Sequence, residues 1–380
     1  MTLEENQLTN KIGVIGLGTM GSFAFWQLAK LGYDVTGFEQ FTPGHKHGAG
    51  HGETRIFRTA YGEGIKYVPL LKESRKLWRE LEKESGKNLY TETGGVMFGL
   101  PDDVFIETVQ ASVDQFHLPH EKWTSTDANK AFPQINFSEN QVAIFEQFAG
   151  FIQAEKAIQT AIDQGIANGG QAILQTEVKA IIPNDAGVTV ITDDNKYRFD
   201  RIIVAVGGWT NSLLPELNLP TTIERQVLVW YQAKNPELFS SERFPIFSRM
   251  KDGIGFYGFP TVDGKTVKVA FHHGGKLVNH PDEVDRHIHE SDLSSLNELV
   301  SVYLQDLIPN PVRAETCFYT NTPDEHFIVG HHKKVPNTIL LGPMAGHGFK
   351  FAPILGRIAA EKTVNQKLTL AIDMFDPNRF

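Results

Sequence analysis

The sequence predicts a mixed α/β (α+β) fold, in which a discontinuous Rossmann-like domain is joined to a second domain built on an antiparallel sheet. Three observations support this prediction. A strand, a glycine-rich turn and a helix open the chain, α/β segments recur at its start, middle and end, and strand-rich segments lie between them. The length of 380 residues also suits two domains of ordinary size. We assign residues 1-87, 151-220 and 320-380 to the Rossmann-like domain, and residues 88-150 and 221-319 to the second domain.

The first elements are predicted from short apolar runs and the residues that end them. Residues 12–15 read as a buried strand, residues 22–31 as a helix that Gly32 ends, and residues 33–38 as a second strand. Further helices are expected over residues 66–87, 155–168 and 349–362. Further strands are expected over residues 95–99, 172–174, 178–182, 188–191, 201–206 and 338–341. In the helix of residues 66–87, the spacing places on the buried side Leu70, Leu71, Leu77, Trp78 and Leu81.

The composition is that of a globular protein, with 41% hydrophobic residues and a net charge of −9 from 36 basic and 45 acidic side chains. This acidic balance argues against nucleic-acid binding, which usually needs a basic surface. We find no apolar run of about 18 residues or more. Residues 1–10 also lack the basic start and apolar run of a signal peptide. We therefore expect a cytoplasmic protein with no nucleic-acid partner and no membrane partner.

The chain contains one cysteine, Cys317, so no intrachain disulfide can form. Zinc or iron–sulfur sites that need several thiolates are excluded for the same reason. Cys317 is then either a small buried apolar residue or a residue with covalent chemistry. Histidines occur side by side at residues 272–273 and 331–332. Adjacent residues of a strand face opposite sides of the sheet, so these pairs should not chelate, and we predict no metal site.

The glycine-rich turn has the spacing and context of a dinucleotide-binding loop. Gly16 allows a tight turn, Gly18 allows the backbone to approach a pyrophosphate, and Gly21 allows the helix and strand to pack closely. Glu39, at the end of the second strand, can accept hydrogen bonds from ribose hydroxyls. A carboxylate there would repel a 2′-phosphate, which disfavours NADP. FAD and NAD both remain possible from these residues.

Residues 51–64, HGETRIFRTAYGEG, resemble the segment after the second strand in the monomeric sarcosine oxidase family, which includes N-methyltryptophan oxidase. The resemblance continues, in the family's order, through residues 67–70, 257–260, 268–272, 317–327 and 346–351. It implies that the protein binds FAD, acts as a monomer and oxidises secondary (N-methyl) amino acids. The expected products are an imine, which hydrolyses to formaldehyde and a primary amino acid, and hydrogen peroxide from O2.

The resemblance also implies roles for individual residues. Cys317 matches the cysteine that the family joins covalently to the flavin. His51 and Arg55 match positively polarised residues near the flavin ring. Arg58 and Lys350 match the pair that binds the substrate carboxylate, which arginine can do through two hydrogen bonds and lysine as a point charge.

Four further residues match positions near the substrate. Tyr257 and Tyr319 correspond to aromatic residues that line the substrate cavity. Lys268 corresponds to the lysine that promotes the reaction with oxygen, where a cation stabilises superoxide as it forms. His272, four residues further along the same strand face, corresponds to the family's active-site histidine.

The remaining predicted cofactor contacts are backbone positions and ends of strands. The last helix is opened by Gly346, Gly348 and Lys350, and N–H groups there can stabilise the negative charge that a flavin acquires at N1 and O2. Val178 and Gly207, next to predicted strands, are also expected to contact the cofactor.

Two alternatives stay open. A NAD-dependent dehydrogenase would use the same glycine loop but would need neither Cys317 nor Lys268. A flavin-binding protein without turnover would act as a partner or a sensor. The sequence also departs from the family, because Glu53 stands where aspartate is usual and residues 248–251 match the sarcosine enzymes poorly. Residues 230–233 and 272–275 look closer to the N-methyltryptophan branch, so the preferred amino acid is open.

Overall fold

The computed structural model describes residues 11–251 and 254–380, which form helices and several β-sheets. The helices of this part of the chain are α1 (Thr19–Lys30), α2 (Val68–Ser85), α3 (Val104–Phe116), α4 (Ser125–Ala131), α5 (Ala154–Ala167), α6 (Thr210–Leu213), α7 (Ser294–Tyr303) and α8 (Ala352–Thr363). The strands of its first half are β1 (Lys11–Ile15), β2 (Asp34–Phe38), β3 (Thr54–Phe57), β4 (Tyr90–Glu92), β5 (Gly95–Gly99), β6 (His120–Thr124), β7 (Val142–Glu146), β8 (Gly150–Gln153), β9 (Gln171–Ile173) and β10 (Ala180–Asn184). The later strands are β11 (Gly187–Ile191), β12 (Lys196–Phe199), β13 (Arg201–Val204), β14 (Thr222–Ala233), β15 (Ile246–Lys251), β16 (Ile254–Gly258), β17 (Thr266–His272), β18 (Leu277–Val278), β19 (Leu307–Asn321), β20 (Val329–His331) and β21 (Thr338–Leu341).

A six-stranded sheet collects strands from the start, middle and end of the chain, in the order β20-β21-β13-β1-β2-β9. Every pairing in it is parallel except that of β20 with β21. β1 lies in its interior, with β2 on one side and β13 on the other. The carboxyl end of such a central parallel strand is the usual place for a nucleotide, because the connections to its two neighbours diverge there.

A nine-stranded sheet forms the second layer, with β14, β17, β16, β15 and β5 as consecutive neighbours and β19 paired to β14. One face of this sheet is covered by α7 and an aromatic core that includes Phe98, Phe247, Phe256 and Tyr303. Because strand residues alternate between faces, their neighbours along the chain point to the opposite side. Tyr257 and Cys317 are on that opposite side, so the sheet presents them toward the first layer.

The element boundaries differ from the sequence predictions by a few residues. α1 begins at Thr19, directly after Gly18, rather than at residue 22. The strand expected over residues 178–182 is observed at Ala180–Asn184. The last helix opens with a 3-10 turn, Phe349–Phe351, before α8 begins. The expected buried side of α2 is confirmed.

Residues 1–10, on which the prediction about a signal peptide rests, lie outside the described residues. Among the helices that the structure describes, none combines the length and the apolar character needed to span a bilayer. The cytoplasmic location stays a prediction from the sequence.

Candidate active site

A cavity of ≈ 380 Å³ begins at the carboxyl end of β1 and extends to the nine-stranded sheet. Most of the predicted site residues line it: Gly16, Gly18, Glu39, Arg55, Arg58, Val178, Gly207, Tyr257, His272, Cys317, Tyr319, Gly346, Gly348 and Lys350. Gly21, His51 and Lys268 are not part of this lining. The cavity therefore joins the predicted nucleotide loop to the predicted substrate residues.

The glycine-rich turn has the shape that a pyrophosphate needs. Gly16 has a φ of 86°, and a Cβ atom at Gly21 would lie 1.7 Å from the carbonyl oxygen of Gly16. A Cβ atom at Gly18 would meet nothing within 4 Å, so the backbone there is open toward the cavity. No side chain caps the N-terminus of α1, which leaves N–H groups available to phosphate oxygens.

Glu39 lies at the end of β2 and is almost fully buried. Its Oε2 accepts a hydrogen bond from the N–H of Leu17 at 3.0 Å, and its Oε1 accepts one from the N–H of Phe41 at 3.0 Å. His45 Nε2 lies 3.4 Å from the same Oε1. These contacts fix the carboxylate at the wall of the cavity. Its remaining lone pairs can accept hydrogen bonds from ribose hydroxyls. A dinucleotide without a 2′-phosphate, such as FAD, fits this arrangement.

Cys317 lies on β19 with only 2% of its surface exposed. Its Sγ is 3.8 Å from Nη2 of Arg55 and 3.7 Å from the carbonyl oxygen of Ala49. Arg55 is itself held by hydrogen bonds to the carbonyl oxygens of Ala49 and Thr54, both at 2.8 Å. The sulfur therefore has a fixed, positively charged neighbour. The environment of Cys317 therefore suits covalent attachment to a flavin.

Arg58 and Lys350 are brought together at the other end of the cavity, and both are buried. Glu63 already occupies the guanidinium of Arg58, because both of its carboxylate oxygens accept hydrogen bonds from Nη2 at 2.7 Å. The ammonium group of Lys350 donates to the carbonyl oxygen of His347 at 2.9 Å. The predicted pair of cations thus exists, and a protein carboxylate faces it.

The charges at this end of the cavity shift the pKa values of its members. Burial alone would raise the pKa of Glu63, but the neighbouring charges of Arg58 and Lys350 lower it to about 2. Burial lowers the pKa of Lys350 to about 7, with Arg58 adding to the effect and Glu63 opposing it. Glu63 is therefore ionised at neutral pH, whereas Lys350 is close to its midpoint.

Two further residues, Glu63 and His347, belong to the site although they were not predicted. Glu63 is part of the run of residues 51–64, but the family resemblance assigned no role to it. His347 is buried beside Lys350, and its Nδ1 lies 2.6 Å from the hydroxyl oxygen of Tyr61. An acidic residue a few positions after a predicted carboxylate-binding arginine is the signal that could have identified Glu63.

His272, Tyr257 and Tyr319 line the central part of the cavity. The Nδ1 atom of His272 lies 3.3 Å from the hydroxyl oxygen of Tyr319. Burial, and after it the neighbouring His273, lowers the pKa of His272 to about 3, so its ring is neutral at pH 7. The neutral imidazole and the phenol groups give this region hydrogen-bonding capacity without a fixed charge.

The expectation that His272 and His273 face opposite sides of the sheet is wrong. Their ring centroids are 4.2 Å apart. The reason is that β17 ends at His272, and His273 has a φ of 69°, which turns its side chain out of the alternating strand pattern. Even so, the part of the chain that the structure describes holds no group of three or more histidine, cysteine or acidic side chains suited to a metal ion.

Lys268 is buried next to the cavity rather than in its lining. Its Nζ donates to the carbonyl oxygens of Gly52 at 2.6 Å and Thr54 at 2.7 Å, and lies 4.2 Å from the ring centroid of Phe259. Burial holds its pKa well below the usual range, and the charge of Arg55 adds to this effect. The contacts of Lys268 fix the segment that carries Arg55.

His51 is also fully enclosed, and neither of its ring nitrogens has a hydrogen-bond partner among the described residues. Its Nδ1 is 3.5 Å from Oε2 of Glu315. Burial and the charge of Arg55 lower the pKa of His51 to about 4. His51 is therefore neutral at pH 7, and the positive charge beside Cys317 comes from Arg55.

Residues 11–362 match the family model described as FAD dependent oxidoreductase. The chain belongs to this family. It is 36% identical to monomeric sarcosine oxidase of Streptomyces avermitilis over 98% of each chain. It is also 33% identical to N-methyl-L-tryptophan oxidase of Escherichia coli strain K12, over 97% of this chain and 98% of that protein. The resemblance inferred from the sequence is thereby confirmed, and the cofactor left open by the glycine loop is FAD.

Solved structures of flavoenzymes share the fold of this family member. NikD, an unusual amino acid oxidase essential for nikkomycin biosynthesis, superposes with a TM-score of 0.86 at 24% identity, with 96% of each chain covered. L-proline dehydrogenase from P. horikoshii superposes with a TM-score of 0.84 at 22% identity, with 98% of each chain covered. These similarities confirm the predicted mixed α/β fold class.

Proposed function

We propose that this protein is an oxidase of secondary amino acids, such as N-methyl amino acids, that carries FAD bound covalently through Cys317. The observation that supports this most strongly is that one cavity joins a dinucleotide loop, a thiol beside Arg55, and the buried cations Arg58 and Lys350. FAD supplies the redox chemistry, since it accepts two electrons from the C–N bond of a substrate and transfers them to O2. The protein supplies binding, orientation and charge.

In this proposal Arg58 and Lys350 bind the substrate carboxylate. The carboxylate of the substrate replaces that of Glu63 on the guanidinium, because both groups have the same charge and geometry. Two converging cations fix the amino acid end of the substrate, so its N-methyl group has a defined position.

The residues of the central cavity hold the rest of the substrate. Tyr257, Tyr319 and the neutral His272 surround this region without a positive charge that would repel an amine. The overall reaction balances when one substrate, one O2 and one water give formaldehyde, a primary amino acid and one hydrogen peroxide. The water hydrolyses the imine.

Cys317 would hold the flavin through a bond from its Sγ to the 8α-methyl carbon. Forming that bond would break one S–H and one C–H bond and would pass two electrons and two protons to O2. Arg55 lies beside the sulfur at which this bond would form. Lys268 contacts the segment that carries Arg55, and we propose that it promotes the reaction with O2.

We further propose that residues 1-87, 151-220 and 320-380 form the FAD-binding domain, that residues 88-150 and 221-319 form the substrate domain, and that the protein is a monomer. The strands of the six-stranded sheet come from the first three of these ranges. Sedimentation equilibrium should give the mass of one chain, 42.5 kDa, and a mass near twice that value would contradict the monomer.

A panel of secondary amino acids tests the proposed reaction. Sarcosine, N-methyl-L-tryptophan and pipecolate should each be assayed for peroxide, and the two N-methyl substrates also for formaldehyde. We expect formaldehyde and peroxide in equal amounts with at least one N-methyl substrate. Absence of peroxide with all of them would contradict the proposal and favour a flavin protein without turnover. A colourless protein that reduces NAD would favour the dehydrogenase alternative.

A further inference from the structure

Gln226 is a polar side chain in the wall of the cavity that the proposed reaction does not use. It lies on β14 with only 4% of its surface exposed, and it is part of the cavity lining. Its Nε2 is buried and has no hydrogen-bond partner among residues 11–251 and 254–380. A buried amide without a partner destabilises a protein, so such a group calls for an explanation.

The register of the sheet places Gln226 beside the predicted tether, on a strand whose neighbour ends at the predicted active-site histidine. Gln226 pairs directly with Cys317 on β19, so the two side chains share a face. Leu228, two residues further, pairs with Ala270, which is two residues before His272. On the same face Gln226 is therefore next to Cys317 on one side, and on the other side it faces the end of β17, which His272 closes.

A flavin tethered at Cys317 would not offer the missing partner through its nearest edge. A thioether at Cys317 would bring the dimethyl edge of the flavin to this part of the cavity, and that edge carries methyl groups without a hydrogen-bonding atom. The group that pairs with the amide of Gln226 must then come from another molecule in the cavity. An amide both donates and accepts hydrogen bonds, so a carboxamide or a hydroxyl suits it equally well.

The proposed carboxylate anchors, Arg58 and Lys350, line the same cavity as Gln226. His272 lines it too, and the charges of Glu63 and Lys350 act on its ring. A substrate held there by its carboxylate can extend its side chain past His272 toward Gln226. Sarcosine has no side chain and cannot reach that far.

Glu224 is a negatively charged neighbour of Gln226 that lies outside the cavity lining. It lies two residues before Gln226 and accepts a hydrogen bond from the N–H of Gly275 at 3.0 Å. A Cβ atom at Gly275 would lie 3.5 Å from Nε2 of Gln226, so the carboxylate and the amide flank the same residue. Burial would raise the pKa of Glu224, but hydrogen bonds from His273, Gly275 and Asn321 lower it to about 2. An anionic side chain would be repelled by this ionised group.

We propose that Gln226 forms a side-chain subsite that selects secondary amino acids carrying a neutral hydrogen-bonding group, such as a carboxamide. The inference rests on the proposed oxidase function and specifies its substrate class. Leucine, asparagine and aspartate side chains have nearly the same shape, so their N-methyl derivatives separate hydrogen bonding and charge from size.

The test compares kcat/KM for N-methyl-L-asparagine, N-methyl-L-leucine and N-methyl-L-aspartate, each normalised to sarcosine for the same variant. We expect the wild-type protein to prefer the asparagine derivative over both others by about 10-fold. Gln226→Leu should reduce the preference over the leucine derivative to about 1. The control Gln232→Leu changes an exposed glutamine of the same strand and should keep the wild-type preference.

Equal kcat/KM values for the asparagine and leucine derivatives in the wild-type protein would overturn the proposal. An unchanged preference in Gln226→Leu would overturn it as well.

If no amino acid, including sarcosine, yields peroxide, the proposed oxidase function fails instead. Calorimetric titration with succinamate and its apolar counterpart 4-methylpentanoate then still tests the subsite, because neither molecule needs to be oxidised. Tighter binding of succinamate that Gln226→Leu removes would support the subsite, and equal binding would overturn it.

Discussion

Arg58 binds one of two carboxylates in this account, that of Glu63 before substrate arrives and that of the substrate afterwards. The exchange keeps the buried guanidinium paired throughout, which matters because an unpaired buried charge is strongly destabilising. Lys350 differs from Arg58, since its charge depends on pH near neutrality. The positive charge that Arg58 and Lys350 together offer to a carboxylate therefore depends on whether Lys350 is protonated.

Carboxylate binding should weaken as the pH rises through the pKa of Lys350. The ammonium group is protonated below about pH 7 and neutral above it, so its attraction for an anion is present at low pH and lost at high pH. We expect the inhibition constant of propanoate, which has no amine to titrate, to rise about 10-fold between about pH 6 and pH 9. Glu63 and His272 titrate well below this window.

Lys350→Arg is the matched control for this prediction, because arginine stays charged over the whole range. It should flatten the pH profile. The pKa of His273 is raised by its hydrogen bond to Glu224, and this residue is another group that could titrate nearby. A profile in Lys350→Arg that matches the wild type would assign the effect to such a group and refute the role of Lys350.

Replacement of Cys317 should release the flavin from covalent attachment. Cys317 is the only cysteine of the chain, so no second thiol can take over. In Cys317→Ser we expect the yellow colour to stay in the supernatant after acid precipitation, whereas in the wild type it should stay with the precipitated protein. Thr316→Ser changes the next residue of β19 and should behave like the wild type. Colour that remains with precipitated Cys317→Ser would refute the tether.

At the scale of elements, the connection from β1 to α1 is the best-defined part of the nucleotide site. Its three glycines have different surroundings, since a side chain at Gly21 would collide with the backbone of Gly16 while one at Gly18 would enter open space. The two positions should therefore respond differently to the same added methyl group.

This difference can be measured in the Cys317→Ser background, from which FAD should be removable. Gly21→Ala should lower the Tm of the apoprotein by about 5 °C, because the helix and strand must move apart. Gly18→Ala should leave that Tm within about 1 °C and weaken FAD binding, since its methyl group occupies space next to the phosphates. Equal effects of the two variants on the Tm would contradict this assignment of the loop.

Local patterns predicted these elements well. The apolar run of β1, the glycine turn and the periodicity of α2 are local signals, and their predicted positions hold within a few residues. Contacts between distant segments could not be read in this way. Lys268 binds carbonyl oxygens more than 200 positions earlier in the chain, and only the assembled fold shows that it contacts that segment rather than lining the cavity.

At the scale of the whole molecule, an acidic chain encloses a cavity with positive groups. The net charge is −9, yet Arg55, Arg58 and Lys350 line the same cavity. These residues meet in the cavity although they are far apart in the sequence. They come from β3, from the segment after it and from the turn before α8. The sequence indicated these residues through their resemblance to a family, whereas the ion pair with Glu63 and the unpaired amide of Gln226 depend on packing between distant segments.

The central claim is that a secondary amino acid in this cavity gives its electrons to the bound flavin. Mixing the purified yellow protein with sarcosine or N-methyl-L-tryptophan in the absence of oxygen tests it directly. We expect the yellow absorbance to bleach with at least one of these substrates and to return when oxygen is admitted, with one formaldehyde formed per flavin. Absorbance that stays unchanged with saturating amounts of both amino acids would show that neither amino acid reduces the flavin.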